Sequence, residues 1–201
     1  MIVLGGIPAN FNYVDPLGAT GLFVAGIIVD ITTGSPVVLG SPVAMTDLGN
    51  GAYVGVFTPV LGHFYTVVSA SYVDSGFTTL DTSRAPAAAQ FDTFSTDTTQ
   101  FSFNYATYDF DSGLTINATV ENLVAMTETS FAMTPTILGV YFGMYTGAVG
   151  DNFVVTKIPT DGIHAPAADS FQCFTIFSGA QIELVAATLI GQSLNAILVE
   201  T

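Results

Sequence analysis

Apolar and polar positions alternate over short stretches along most of the chain, and the i, i+3, i+4 recurrence of an amphipathic helix is weak throughout. The runs LFVAGIIVD from Leu22, AYVGVFT from Ala52, YTVVSASYV from Tyr65, FSFNYATY from Phe101, TINATVE from Thr115, VYFGMYT from Val140 and NFVVTKI from Asn152 are rich in Val, Ile, Thr, Tyr and Phe. These residue types fit a pleated, half-buried surface. Turn signals TTGSP, DLGNG and PTDG separate the runs. The segment from Ala85 to Gln90 has room for one short helical turn, but Pro86 within it predicts an extended linker instead. The pattern therefore predicts an all-β chain.

The strand pattern is written twice. AMTDLGNGAYVGVFTPVLG from Ala44 returns as AMTPTILGVYFGMYTGAVG from Ala132, with 8 of 19 positions identical, and APAAAQFDTF from Ala85 returns as APAADSFQCF from Ala165, with 6 of 10. TGLFVAGIIVD from Thr20 pairs with SGLTINATVE from Ser112, and QSLNAILVE from Gln192 repeats that element once more. A repeat of this length marks a duplicated structural unit. The units run over residues 1–92 and 93–180, and residues 181–201 are left as an extra strand or hairpin. Short strands in units of roughly 85–90 residues describe two tandem Ig-like β-sandwich domains.

The best preserved letters suggest a reason for the duplication. In Ig-like sandwiches a Tyr near the start of strand F hydrogen-bonds back to the preceding turn and locks that corner. Gly51 and Gly139 are expected to supply the tight backbone, and Tyr53 and Tyr141 the hydroxyls. Two residues beyond each Tyr, where antibody domains place a disulfide Cys, stand Gly55 and Gly143. In the extra C-terminal segment, Ile182, Leu184, Leu194, Ile197 and Val199 form a candidate assembly strand. It either closes the second domain or pairs with a neighbouring subunit, because an unpaired sheet edge invites another chain.

The order of a Gly-Leu strand, a Thr-Gly turn, a GxY strand and a Gly-aromatic strand, in GLFVAGIIVDITTGSPVVLGSPVAMTDLGNGAYVGVFTPVLGHFYTVV, resembles the small Ig-like modules of tailed-bacteriophage virion structural proteins. TTLDTSRAPA is similar to a Leu-Asp and Ser-Arg-Ala stretch that trails such modules. The likeness covers most of the first unit and, more loosely, the second, which lacks the Thr-Gly turn and has Pro135 where Asp47 stands. It implies a capsid decoration, head-surface or tail accessory component of a virion, with no catalytic residues to carry over.

Charge narrows the partners. Two Lys and Arg residues stand against sixteen Asp and Glu, for a formal net charge of −14, although charged residues make up only 9% of the chain. Phosphate backbones and anionic membrane surfaces are bound by clustered cations, so neither nucleic acid nor membrane is an expected partner. Mean hydropathy is +0.59. With so little charge to finish its surface, the chain is expected to be covered by protein, either as a homo-oligomer or among other virion proteins. The N-terminal MIVLGGIPANFNYVD has no cationic region and no long apolar core, and the late apolar run is broken by Glu183, Gln192 and Asn195. Neither a secretory signal nor a membrane span is expected. The expected location is the virion, assembled in host cytoplasm. The rival reading is a cell-surface filament subunit or adhesin built of the same modules.

No reaction is legible. Asp109 and Asp111 form a DxDxG turn, but the twelfth position from Asp109 is Val120 rather than the bidentate Glu of a Ca²⁺ loop. His63 and His164 occupy non-corresponding places and have no HxxxH, HExxH or Cys partner for zinc. GxSxG, GxGxxG and GxxxxGK[ST] do not occur. Cys173, the single cysteine, sits among aromatics and is expected to behave as a small buried hydrophobe. The reading is a non-enzymatic protein without cofactor or metal.

Overall fold

A computed structural model describes residues 2–3, 5–93 and 99–173. Within them the chain forms β1 (Ile2–Val3), β2 (Ala9–Val14), β3 (Phe23–Asp30), β4 (Val37–Ala44), β5 (Thr46–Gly49), β6 (Ala52–Phe57), β7 (Phe64–Tyr72), β8 (Ala87–Thr93), β9 (Gln100–Ala106), β10 (Ile116–Asn122), β11 (Thr127–Ala132), β12 (Thr134–Pro135), β13 (Val140–Thr146), β14 (Asn152–Pro159) and β15 (Ala167–Gln172). No helix occurs among the described residues. The expected C-terminal strand, with Ile182, Leu184, Leu194, Ile197 and Val199, lies outside them.

Four sheets make two sandwiches. The first faces β1-β8-β7-β3-β4 against β2-β6-β5, and the second faces β11-β10-β14-β15 against β12-β13-β9. The order β8-β7-β3-β4 over β2-β6-β5 is the G-F-C-C′ over B-E-D arrangement of an Ig-like sandwich. Strands β9 to β15 then repeat β2 to β8 one for one. β1 adds a short parallel strand outside β8, with Ile2 opposite Asp92 and Val3 opposite Thr93.

Each apolar run read from the sequence falls on a strand. The strands that escaped that reading include β4 and β11, the outermost strands of their sheets, whose mostly exposed positions show no alternation. Residues Ala87–Thr93 correct the linker expectation: they form β8, antiparallel to β7 from Ser69 opposite Ala87 to Phe64 opposite Asp92. Pro86 immediately precedes this strand, outside the ladder where its missing N–H would matter. The DLGNG signal is a tight β5–β6 hairpin, with φ of 52° at Asn50 and 75° at Gly51. Positive φ at two successive positions is what a twist-compatible hairpin turn requires, and Asn-Gly supplies it most readily.

In the interior, Gly55 and Gly143 lie on β6 and β13, the E strands, rather than on the F strands that carry an antibody disulfide, and each is a glycine for a steric reason. A Cβ on Gly55 would lie 2.2 Å from the Phe11 ring, and one on Gly143 would lie 2.3 Å from the Phe103 ring. Gly26, on the opposing sheet, approaches Phe11 equally closely, with its Cβ position 2.2 Å from that ring. An aromatic ring from β2 or β9 thus occupies the space that these glycines leave between the sheets.

The two sandwiches pack on each other through sheet faces. Val29, Ile31 and Phe64 of the first meet Phe142, Ile137 and Met144 of the second, and Ala25, Ala70 and Tyr72 meet Phe110 and Leu138. This contact explains why all nine positions of β7 are buried. One face of β7 looks into its own core, and the other is covered by the β12-β13-β9 sheet.

Candidate functional site

The duplicated corner is built from two tyrosines per sandwich. Tyr13 and Tyr53 stand opposite each other on β2 and β6, as Tyr105 and Tyr141 do on β9 and β13. The Tyr53 hydroxyl donates to Ala19 O at 3.0 Å and accepts from Leu22 N at 3.1 Å. Tyr141 likewise donates to Asp111 O at 3.2 Å and accepts from Leu114 N at 2.8 Å. The sequence expectation put these tyrosines near the start of strand F, bonded to the turn just before them. Instead they lie on the central strand of the three-stranded sheet, and their partners are in the loop after β2 or β9. Tyr13 and Tyr105 complete the corner by donating to Ala85 O and Ala165 O at 3.4 and 2.8 Å.

Gly51 and Gly139 bring the start of β6 and β13 against that same loop. Asp15 N donates to Gly51 O at 2.8 Å and Thr107 N donates to Gly139 O at 2.9 Å. Gly139 has φ of 71°, and a Cβ there would come within 2.1 Å of Thr107 Oγ1. A Cβ on Gly51 would come within 2.7 Å of Gly18 Cα.

A charged clamp lies over each corner. Arg84 donates from Nη1 to Asp15 Oδ1 and from Nε to Asp81 Oδ2, the latter at 2.9 Å. In the second sandwich His164 Nδ1 meets Asp161 Oδ2 at 2.6 Å and Nε2 meets Asp109 Oδ1 at 3.1 Å. Asp81-x-x-Arg84-Ala-Pro-Ala and Asp161-x-x-His164-Ala-Pro-Ala are the same segment of the repeat. This correspondence was readable in the sequence but was hidden by the change from Arg to His. The Asp15 carboxyl is held below its ordinary range by the Ala19 N–H and by Arg84. Asp109 and Asp161 are lowered chiefly by their bonds to His164, whose own value is raised by Asp161 first and Asp109 second. The DxDxG residues therefore serve a structural pair: Asp109 holds His164, and Asp111 Oδ1 accepts Gly113 N at 2.8 Å.

Two further basic groups are engaged similarly. His63 Nδ1 meets Asp30 Oδ2 at 2.7 Å. Lys157, buried inside the second sandwich, donates to Asn104 O at 2.8 Å and to Asp169 Oδ2 at 2.5 Å. Cys173 is buried in the second core, and desolvation pushes its thiol up to about 11. Among the described residues no group of three or more His, Cys, Asp or Glu side chains is placed to hold a metal ion. No helix among them is long and apolar enough to cross a membrane. Where the two Ala-Pro-Ala segments approach, an open cleft of about 480 Å³ is lined by Pro86, Pro166, Asn104, Tyr108 and the Lys157 stem.

One buried carboxylate sits between the sandwiches. Asp92 on β8 accepts from Ser102 Oγ on β9, and Gln90 Nε2 donates to the same hydroxyl. Burial raises Asp92 to about 6.

The outer surfaces are unequal. The first sandwich exposes Val37, Val38 and Leu39 on β4, Val14 on β2, Val56 on β6 and Leu48 on β5. The outward positions of β2 and β6 are Asn10, Asn12, Val14, Ala52, Val54 and Val56, with no charge among them. The outer face of the second sandwich carries Glu121 directly opposite Glu128, together with Thr119 and Ser130, whose hydroxyls meet at 2.9 Å.

No protein-family model matches the chain, and no curated protein matches it either. Among solved structures it is similar to the pullulanase from Anoxybacillus sp. LM18-11, at 11% identity and a TM-score of 0.26, with 79% of this chain and 23% of that one covered. It is similar to the same enzyme complexed with maltotriose, with the same values, and complexed with maltotetraose, where 22% of that chain is covered. The chain thus spans less than a quarter of the length of the structures it matches.

Proposed function

We propose that this protein is a non-enzymatic structural subunit that acts by binding other proteins, as a capsid decoration, head-surface or tail accessory component of a tailed-phage virion. The observation that carries the assembly part is the uncharged apolar surface of the first sandwich: Val37, Val38 and Leu39 on an edge strand, with Val14 and Val56 on a sheet face. Edge strands of monomers are normally blunted by charged side chains, and β4 has none. The clamps support the same reading. Arg84, Lys157, His63 and His164 are each committed to an aspartate that holds a loop or strand in place. The virion part rests on the likeness of the Gly-Leu, Thr-Gly and GxY pattern to phage modules.

The experiment is to purify intact virus particles through a density gradient and quantify this chain by mass spectrometry. A fixed copy number per particle supports the proposal. Absence from particles, with recovery in a host cell-surface fraction, would favour a filament subunit or adhesin in its place.

A further inference from the structure

We propose that the outer face of the β2-β6-β5 sheet binds the same face of a second copy of this chain, joining two protomers across a two-fold axis. This rests on the assembly reading above and names its surface and partner.

The repeat itself shows that this face type docks. In the second sandwich the equivalent sheet, β12-β13-β9, is the one packed against the first sandwich, through Phe142 and Met144. Their counterparts in the repeat are Val54 and Val56, and Val14 corresponds to Ala106. Within the chain, that face meets the outer face of the five-stranded sheet, made apolar by Ile27, Val29, Ile31 and Phe64.

A second copy has no such face to offer. Its five-stranded sheet is already covered by its own second sandwich. On its four-stranded sheet the positions of Ile27 and Val29 are taken by Thr119 and Glu121, and Glu121 faces Glu128 across the ladder. Burying that carboxylate pair against another surface is unfavourable.

Charge then selects the partner. Two copies of a chain at −14 repel each other wherever carboxylates meet. The outward positions of β2 and β6 carry none. The neighbouring aspartates are turned away from this face: Asp15 is buried against Arg84, and Asp47 accepts Gly21 N at 2.6 Å and Gly49 N at 2.7 Å. Val14 and Val56 are 66% and 49% exposed. The register places Asn10 beside Val56 and Asn12 beside Val54, so apolar and amide groups interleave as they do at a self-complementary interface.

The test is sedimentation velocity on the full chain over a concentration series, with Val14→Glu, Val56→Glu, Val38→Glu and Thr119→Glu beside the wild type. Circular dichroism melts verify the fold of each variant. A wild-type dimer is expected, weakened at least about tenfold by Val14→Glu and by Val56→Glu because each places like charges together at the interface. Val38→Glu and Thr119→Glu are expected to leave it unchanged. Val54→Cys, in a chain whose one natural cysteine is buried, is expected to give a disulfide-linked dimer on a non-reducing gel.

A wild-type monomer at every concentration overturns the proposal, as does a dimer broken by Val38→Glu but not by Val56→Glu. A monomer that is still recovered at fixed stoichiometry in particles would sink the face assignment while leaving the assembly reading standing.

Discussion

Arg84 in the first sandwich and His164 in the second occupy the same place in the repeat, and each is held between an aspartate three residues earlier and one from the loop after the first core strand. The geometry is shared, but the proton chemistry differs. Arg84 keeps its charge at any working pH, whereas His164 can lose its proton, its value being raised above 6.5 by Asp161 and Asp109. One corner of the molecule is therefore fixed and the other is sensitive to pH.

The sign follows from linkage. The folded value of His164 lies above 6.5, so its stabilising contribution is complete below 6.5 and is lost as pH rises through that folded value. Asp109 and Asp161 are lowered from 3.8, so their contributions are present above 3.8 and are lost as pH falls through their folded values. The second corner is firmest between these limits. Thermal melts of the wild type are expected to fall from pH 6 to pH 9, and those of His164→Arg to stay level over that range. A wild-type melting temperature as flat as that of the variant would contradict the clamp.

The tyrosine hydroxyls make a separate prediction. Tyr53 and Tyr141 each satisfy a backbone carbonyl and a backbone N–H in a loop that crosses the end of the sandwich. Replacing either by Phe removes both bonds and leaves a partly buried N–H without its acceptor, at a cost of about 1–2 kcal/mol. Urea unfolding followed by circular dichroism measures this directly. The loss is expected for each variant, and no change in either would remove the hydroxyls from the account of the corner.

Much of this architecture could be read from the letters, and the part that could not has a physical reason. The strand runs and the duplication appear in local sequence, because period-2 alternation and turn residues are local signals. The partner of Tyr53 does not, since Leu22 lies 31 residues away and belongs to a loop whose path the sheets determine. Tyr13 and Tyr105 went unremarked because nothing in their own neighbourhood marks a buried hydroxyl. The contact between sandwiches did leave a trace: FVAGIIVD on β3 is nearly all apolar, and a strand without alternation is one buried on both faces. Phe142 on the other side of that contact reads only as one more strand residue.

Asp92 gives the opposite pH dependence to the clamp aspartates and the same direction as His164. Burial raises its folded value from 3.8 to about 6, so the folded protein binds this proton more tightly than the unfolded chain does. Its effect on stability is most favourable below 3.8, declines as pH rises towards about 6, and is level above that. Asp92→Asn keeps an acceptor for the Ser102 hydroxyl and removes the titration. Urea unfolding is therefore expected to show the variant gaining on the wild type from pH 4 to pH 7. An equal difference at the two pH values would show that the contact does not raise Asp92 above its value in the unfolded chain.

The contact between sandwiches also contains a hydroxyl that the second copy of the repeat has discarded. Thr66 on β7 stands opposite Val29 and Gln90, on the face covered by the second sandwich, and its Oγ1 is buried without a hydrogen-bond partner. The equivalent position in the second unit is Val154, whose side chain has nearly the same shape and no polar atom. An unsatisfied buried hydroxyl costs about 1–3 kcal/mol, so Thr66→Val is expected to raise the unfolding free energy by about 1 kcal/mol after small packing adjustments. The gain is expected at pH 4 and pH 7 alike, because no charge is involved, which separates it from the effect of Asp92→Asn. Destabilisation by Thr66→Val would mean that a water molecule bridges this hydroxyl to the second sandwich, and that the contact is wetter than its apolar side chains suggest.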